Sequence, residues 1–223
     1  RDGWIRRVPI DTYRAQGRGG RGIKGSEAKE GDVLSTVFAA GTHDHLLCFS
    51  NKGKVYWAKV YQLPEAGRTA KGRPLANLVN LGEGEEVSKV LRVTNFNGEE
   101  SILFATRRGV VRKTALDAYS RPRSNGIRAI NLQEGDEVVS VGITQPGDTI
   151  ILCSANGKAA HFDEKTVRQM GRTSRGVRGI KLLEDDELVA MAVADPEAFR
   201  LVACERGPGK RTQRPGAPVQ GRG

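Results

Sequence analysis

The chain has 223 residues, a formal net charge of +10 and a sequence pI of about 9.8. Hydrophobic residues make up 38% of it and aromatic residues 5%, which is little for one large compact core and favours several small layers. The positive charge predicts a polyanionic partner such as nucleic acid. No apolar run reaches the length of a membrane-spanning helix, so we expect no membrane partner.

A pattern of about fifty residues recurs along the chain. Each copy begins with a polar residue and a glycine, and these glycines lie roughly 50, 56, 48 and 50 residues apart: Gly3, Gly53, Gly109, Gly157 and Gly207. A second glycine, followed or flanked by arginines, comes about 19 residues later: Gly22, Gly72, Gly126 and Gly176. We therefore predict a single repeat domain over residues 1–223, with units at approximately 1–50, 51–106, 107–154 and 155–204 and a partial unit at 205–223.

Each unit predicts about four short strands. The segments after the first glycine, such as 55–60 and 110–116, are rich in β-branched or aromatic residues. In the third unit, the apolar runs 138–144 and 149–154 flank a Gln-Pro-Gly-Asp turn, and we predict that they form a hairpin; 188–194 and 199–204 repeat this pattern. Helical signals are confined to about one turn at 164–168. Four strands per unit predict an all-β, propeller-like fold.

The cysteines and histidines indicate no metal centre. Cys48, Cys153 and Cys204 are an odd number without C-x-x-C spacing, so we expect buried free thiols and a reducing, cytoplasmic location. His43-Asp44-His45 has no evident third ligand, and a turn explains it better. No P-loop sequence is present, so we expect no ATP site and assign no catalytic residue.

Basic residues recur in phase with the glycines. Because equivalent positions of successive units line up around one edge of a propeller-like disc, they predict a positive stripe that binds duplex phosphates regardless of base sequence. Any single arginine is equally well explained as a solvated loop residue, so only the phased set favours nucleic acid. We expect the loop glycines to let the backbone approach phosphates. The predicted DNA contacts are Lys24, Lys54, Arg68, Lys71, Arg73, Arg112, Lys113, Arg121, Arg123, Arg128, Lys158, Arg172, Arg175 and Arg178.

Residues 16–22 form the predicted loop that is richest in arginine and glycine. They read Gln16, Gly17, Arg18, Gly19, Gly20, Arg21 and Gly22. The segment resembles the gyrase A box, the Q-R-R-G-G-R-G signature of the DNA gyrase A family, and the repeats resemble that family's C-terminal repeats over the whole chain. We call residues 16–22 the box and predict that they contact DNA, although Gly17 departs from the signature where the family has its first arginine.

The resemblance implies a fold and a function. The implied fold is a β-pinwheel, in which neighbouring blades exchange a strand and the box lies on a loop at the seam between the first and last blades. The implied function is positive-handed wrapping of duplex DNA around a basic rim. The implied partners are the rest of the gyrase A protein and the gyrase B protein, in a bacterial A2B2 enzyme that uses ATP and Mg²⁺ for negative supercoiling. Its catalytic residues are expected in other domains, and no cofactor is expected in this one.

Three alternatives remain open. The equivalent domain of topoisomerase IV resembles this chain but lacks an intact box. A propeller-type protein-interaction scaffold is expected to have a rim of mixed charge. An Arg/Gly-rich RNA-binding protein is expected to carry its Arg/Gly tract in a disordered tail, whereas here the arginines are in phase with predicted strands.

Overall fold

A computed structural model of the chain describes residues 3–13, 36–194, 200–203 and 209–212, the last two ranges as backbone only. In these ranges it has strands and short 3-10 segments but no α-helix, which confirms the all-β prediction. No helix in the described part of the chain has the length and apolarity needed to cross a membrane. The strands are β1 Trp4–Ile5, β2 His45–Ser50, β3 Lys54–Lys59, β4 Arg73–Pro74, β5 Val87–Val93, β6 Ser101–Thr106, β7 Val110–Ala115, β8 Ile127–Arg128, β9 Val138–Thr144, β10 Thr149–Ser154, β11 Ala159–Asp163, β12 Val177–Arg178, β13 Leu188–Ala194, β14 Arg200–Ala203 and β15 Gly209–Thr212.

The longer strands form three antiparallel sheets. Their strand orders are β5-β2-β3-β8, β9-β6-β7-β12 and β13-β10-β11, while β1 pairs with β4 and β14 with β15. The edge strand β9 contacts β5 and β13, which are edge strands of the two neighbouring sheets. In their own sheets, the short strands β8 and β12 lie at the edges opposite β5 and β9.

The sheets pack face to face and share several small cores. Leu47 and Phe49 of β2 pack with Phe104 of β6 in the core between the first two sheets. On the other face of the second sheet, Leu103 packs against Leu152 of β10. Alternate residues of a central strand thus enter different cores, and β6 is buried along its whole length. The prediction of several small layers is confirmed.

The predicted hairpins are wrong, although the strand bounds 138–144 and 149–154 are confirmed. β9 pairs with β6, whereas β10 pairs with β11 and β13, so the turn at 145–148 connects neighbouring sheets. β13 and β14 likewise do not pair with each other. The hairpins form instead between β2 and β3, β6 and β7, and β10 and β11, at the polar-glycine pairs. Turn chemistry permits a reversal, but the cores that Val141 and Leu152 enter decide which sheet each strand joins.

Each unit gives its short strand to the sheet of the preceding unit. β8 pairs with the start of β3, β12 with the start of β7, and β4 with β1. The Gly53 carbonyl accepts N–H groups from Ala129 at 2.8 Å and Ile130 at 3.1 Å, which ties the next unit to the hairpin turn. This is the strand exchange that the family resemblance implied.

The second phased glycine serves this exchange. Gly126 has φ +66°, and a Cβ there would lie 2.7 Å from the Tyr56 ring and 2.8 Å from the Val55 carbonyl oxygen. Only glycine fits such an approach at that backbone angle without strain. At Gly126 this packing against the neighbouring strand, rather than approach to phosphate, explains the glycine.

The thiols follow the prediction in part. Cys48 is buried, and its burial raises the pKa of the thiol to about 12. Cys153 is only partly buried. Cys204 lies outside the described residues.

Candidate nucleic-acid interface

Three loops carry most of the predicted arginines. Each leads from a 3-10 segment into an exchanged strand, and we name them L1 (residues 67–72), L2 (120–126) and L3 (171–176). L1 and L3 read G-R-T-A-K-G and G-R-T-S-R-G. Each opens with the same turn, in which the amide of the fourth residue donates to the carbonyl of the first at 3.1 Å. The three loops therefore repeat at the exchanged-strand edge of successive sheets.

An open cleft of about 370 Å³ lies between L2 and L3. Arg121 and Arg123 of L2 and Arg172 of L3 line it, together with Asp117 and Ser120. Two loops that are about fifty residues apart in the chain thus contribute to one cleft. Its three guanidinium groups outnumber the single carboxylate, which favours an anionic ligand. The sequence predicted these arginines but not Asp117 and Ser120, because neither residue belongs to the phased basic set.

The other predicted side chains of this edge are accessible. Two of them adjoin across the exchange, because Lys54 of β3 pairs in register with Arg128 of β8. Like charges in register repel, so a bound phosphate between them would relieve a cost already present in the fold. Arg68 and Arg172 are half-buried, and the exposed members are Lys54, Lys71, Arg73, Arg121, Arg123, Arg128, Lys158, Arg175 and Arg178.

Some of this charge already has protein partners. Lys54 Nζ lies 3.9 Å from Oε2 of Glu85. Burial opposes ionisation of Glu85, but hydrogen bonds from Ser50, the Gly82 N–H and the Tyr56 hydroxyl together hold its pKa below the ordinary value. Lys71 Nζ lies 4.1 Å from the centre of the Trp4 ring. Lys54 and Lys71 are thus positioned by neighbours. Within the described part of the chain, Arg121, Arg123 and Arg175 form no ion pair.

The prediction that Arg112 and Lys113 contact DNA is corrected by their burial. Arg112 is 0% exposed and Lys113 is 9% exposed. Lys113 forms an ion pair with the buried carboxylate of Glu164, in the next unit. Arg112 donates to the backbone carbonyls of Gly171, in L3, and of Ala129, directly after β8. Both residues lie inside the predicted strand 110–116 rather than in a loop, which is the signal that separates them from the accessible set.

The box and Lys24 lie outside the described residues. Residues 17–22 read G-R-G-G-R-G, with the glycines and basic residues spaced as in L1 and L3. Gly17 departs from the family signature but matches Gly67 and Gly171 of this chain. The comparison indicates that the box is the first unit's counterpart of L1 and L3.

The His-Asp-His segment forms a turn before β2. The Asp44 carboxylate accepts the Gly41 N–H at 2.8 Å, and the Asp44 N–H donates to the Gly41 carbonyl at 3.0 Å. His45 Nε2 lies 2.6 Å from Lys59 Nζ, and burial, followed by the lysine charge, lowers the pKa of His45. The described part of the chain contains no group of three or more His, Cys, Asp or Glu residues placed to hold a metal ion.

The chain is similar to known proteins along most of its length. The family described as DNA gyrase C-terminal domain, beta-propeller, matches residues 1–40, 44–94, 100–145 and 148–195. The DNA gyrase A protein of Salmonella typhimurium is 44% identical over 220 residues, which are 99% of this chain and 25% of that protein. The gyrase A protein of Deinococcus deserti is 46% identical over 227 residues, covering 99% of this chain and 28% of that protein. The chain therefore spans about a quarter of the length of these relatives.

Two solved structures share the fold. The C-terminal domain of DNA topoisomerase IV has a TM-score of 0.80 at 30% identity, covering 99% of this chain and 68% of that one. The DNA gyrase A C-terminal domain has a TM-score of 0.76 at 27% identity, covering 99% of this chain and 72% of that one. The four matched stretches of the family model together cover most of the residues. By its sequence, its exchanged strands and these matches, the chain belongs to the DNA gyrase C-terminal domain family.

Proposed function

We propose that this chain binds duplex DNA along the edge formed by L1, L2 and L3 and wraps it in a positive-handed turn. The observation that carries the proposal is the cleft in which arginines of two successive units face one cavity. Basic loops that recur once per unit suit the phosphate backbone, which repeats regardless of base sequence. We include the box in this row as the contact of the first unit.

Wrapping requires several contacts because bent DNA stores energy. Bending 20–30 base pairs by 40–90° costs on the order of 1–6 kcal/mol. A single loop with two arginines holds such a bend poorly, whereas loops at successive blades distribute the cost over many phosphates. The repeat and the phased charge thus serve the same purpose.

The role of the domain in a whole enzyme is part of the proposal. The relatives are DNA gyrase A proteins, and we propose that this domain acts with the rest of such a protein and with the gyrase B protein in an A2B2 enzyme of the bacterial cytoplasm. Wrapping by the domain would present a DNA segment for ATP-dependent negative supercoiling. The cleavage and ATP chemistry would lie in other domains, and this domain would need no cofactor.

The wrapping proposal is tested by DNA topology. Relaxed circular DNA is incubated with the domain, sealed with ligase, stripped of protein and resolved on a gel. We expect a shift to positively supercoiled topoisomers that grows with the protein-to-DNA ratio. An unchanged topoisomer distribution at saturating protein would mean binding without wrapping, and a negative shift would mean the opposite hand.

The binding part has its own measurement. Because Lys and Arg contacts to phosphate release counterions, the logarithm of the binding constant should fall linearly with the logarithm of salt concentration, with a slope between about −5 and −10. A slope near zero, or preference for a single base sequence, contradicts a non-specific rim.

A second candidate is the DNA-binding domain of the topoisomerase IV protein that corresponds to gyrase A. The TM-score of 0.80 to the solved topoisomerase IV domain favours it. The box argues for gyrase, and loss of wrapping on substitution of the box separates the two candidates.

A further inference from the structure

We propose that Arg112 is a positioning residue of the DNA interface, which holds L3 at a set distance from L2 so that Arg172 faces the cleft and Arg175 lies exposed on the same loop. The proposal rests on the DNA-binding function proposed above. Because Arg112 is buried, its side chain does not itself reach the DNA. Its guanidinium donates hydrogen bonds to groups in and beside both loops.

Arg112 is a buried charge without a counter-ion among the described residues. Its side chain is 0% exposed and lies 4.8 Å from the centre of the Phe104 ring, and no described carboxylate is among the groups that affect its pKa. Its Nε has no hydrogen-bond partner within the described part of the chain. A buried unpaired charge is costly, and an apolar side chain of similar volume often fits such a place better. Packing alone therefore does not explain why an arginine occupies this buried position.

Its hydrogen bonds to two loops explain the arginine. Nη1 donates to the carbonyl of Gly171 at 3.1 Å and to that of Arg172, the first two residues of L3. Nη2 donates to the Tyr119 hydroxyl at 3.2 Å and to the Ala129 carbonyl. Tyr119 directly precedes L2, and Ala129 follows β8, into which L2 leads. One planar, rigid fork thus joins the start of L3 to both flanks of L2.

The same contact occurs two units earlier in the described structure. Arg6 follows Gly3 by three residues, as Arg112 follows Gly109, and its Nη2 donates to the Arg68 carbonyl of L1. Tyr56 occupies the matching position of the intervening unit, and its hydroxyl donates to Glu85 instead.

The loop opposite Tyr56 differs in the matching way. L2 is one residue longer than L1 and L3, and when the loops are aligned on their last glycine it has Pro122 where they have Arg68 and Arg172. A second arginine thus contacts each loop that carries an arginine at this place. In L2, which lacks that contact, the proline ring restricts the backbone instead.

A positioned loop binds better than a mobile one. Ordering a long side chain or loop on binding costs free energy, and a loop held in its bound shape avoids that cost. The spacing of the loops matters as well, because L2 and L3 must contact phosphates of one duplex at once. Arg112 acts on both, since it fixes the backbone of L3 relative to L2.

The test is a double-mutant cycle on the 223-residue chain, using a linear duplex as the probe. We measure the salt slope of binding for wild type, Arg112→Met, Arg172→Ala/Arg175→Ala, and the triple variant. Arg112→Met should flatten the slope by up to about two, although it removes no side chain at the surface. The triple variant should be no weaker than the Arg172→Ala/Arg175→Ala pair, because the three residues then act as one unit.

The control is Lys113→Met/Glu164→Gln. It removes a neighbouring buried charge of the same strand and its inter-unit ion pair, and it should lower thermal stability with a wild-type salt slope. A wild-type slope in Arg112→Met, or effects that add in the triple variant, overturns the proposal. If Arg112→Met fails to fold, Arg112→Lys keeps the charge but replaces the fork by one ammonium; a wild-type slope in that folded variant overturns it equally. Absence of salt-dependent binding in wild type would instead refute the proposed function.

Discussion

Replacing Arg121 and Arg123 of L2 by alanine should weaken DNA binding in a way that can be calculated. Both side chains are exposed and line the cleft with Arg172. Each phosphate contact contributes about −0.9 to the slope of log K against log salt. Two lost contacts therefore flatten the slope by about 1.8, and at about 0.1 M salt they lower the binding constant by about 60-fold relative to wild type. Folding should be unaffected, because neither side chain is part of a core.

The assay is titration of a labelled duplex of mixed sequence at several salt concentrations. Lys89→Glu is the matched control, because it also lowers the net charge by two. Lys89 is an exposed residue on β5, at the edge of the first sheet opposite β8. If Lys89→Glu flattens the slope as much as Arg121→Ala/Arg123→Ala does, total charge governs binding and the cleft has no special part. A slope unchanged in the double variant would refute contact by L2.

Three further predictions concern the box, the strand exchange and the buried thiol. Replacing both arginines of the box by alanine should abolish positive wrapping in the ligation assay while affinity falls less, whereas the same change to both arginines of L3 should lower affinity and retain wrapping; equal behaviour would deny the box a special role. Gly126→Ala should lower the free energy of unfolding by about 2–4 kcal/mol, since a left-handed φ and a close contact both oppose the new Cβ, against about 1 kcal/mol for Gly147→Ala, where φ is +95° but nothing lies within 4 Å; denaturant titration that finds the two equal contradicts the contact. Because burial raises the pKa of Cys48 from 9.0 to about 12, the folded state should lose stability as pH rises from about 9 towards 12, and Cys48 should react with thiol reagents only as fast as the chain unfolds.

The repeat made much of the fold predictable. Glycines about fifty residues apart marked the tight turns, and β-branched runs marked the strands, so that 138–144 and 149–154 match β9 and β10. The same phase placed the arginines of L1, L2 and L3 in equivalent loops. These features are local, because turn geometry, strand propensity and charge act over a few neighbouring residues.

The pairing of those strands was not predictable in the same way. The Gln-Pro-Gly-Asp turn after Thr144 suits a hairpin, yet β9 and β10 join different sheets. Their partners depend on which core the apolar side chains enter, and that choice involves residues fifty positions away. The sequence showed where each strand lies in the chain, but not which strands pair with it in the sheet.

Composition and spacing along the chain were enough to predict the repeat, the all-β class, the small layered cores and the phased positive charge. Which basic residues face solvent depends on how the units pack in the folded chain. Arg112 and Arg172 belong to the same phased set of basic residues, but Arg112 lies in a strand covered on both faces by neighbouring units, whereas Arg172 lines the cleft between two loops. The difference arises because burial depends on the units that pack against a residue, and a blade acquires those neighbours only when the chain folds.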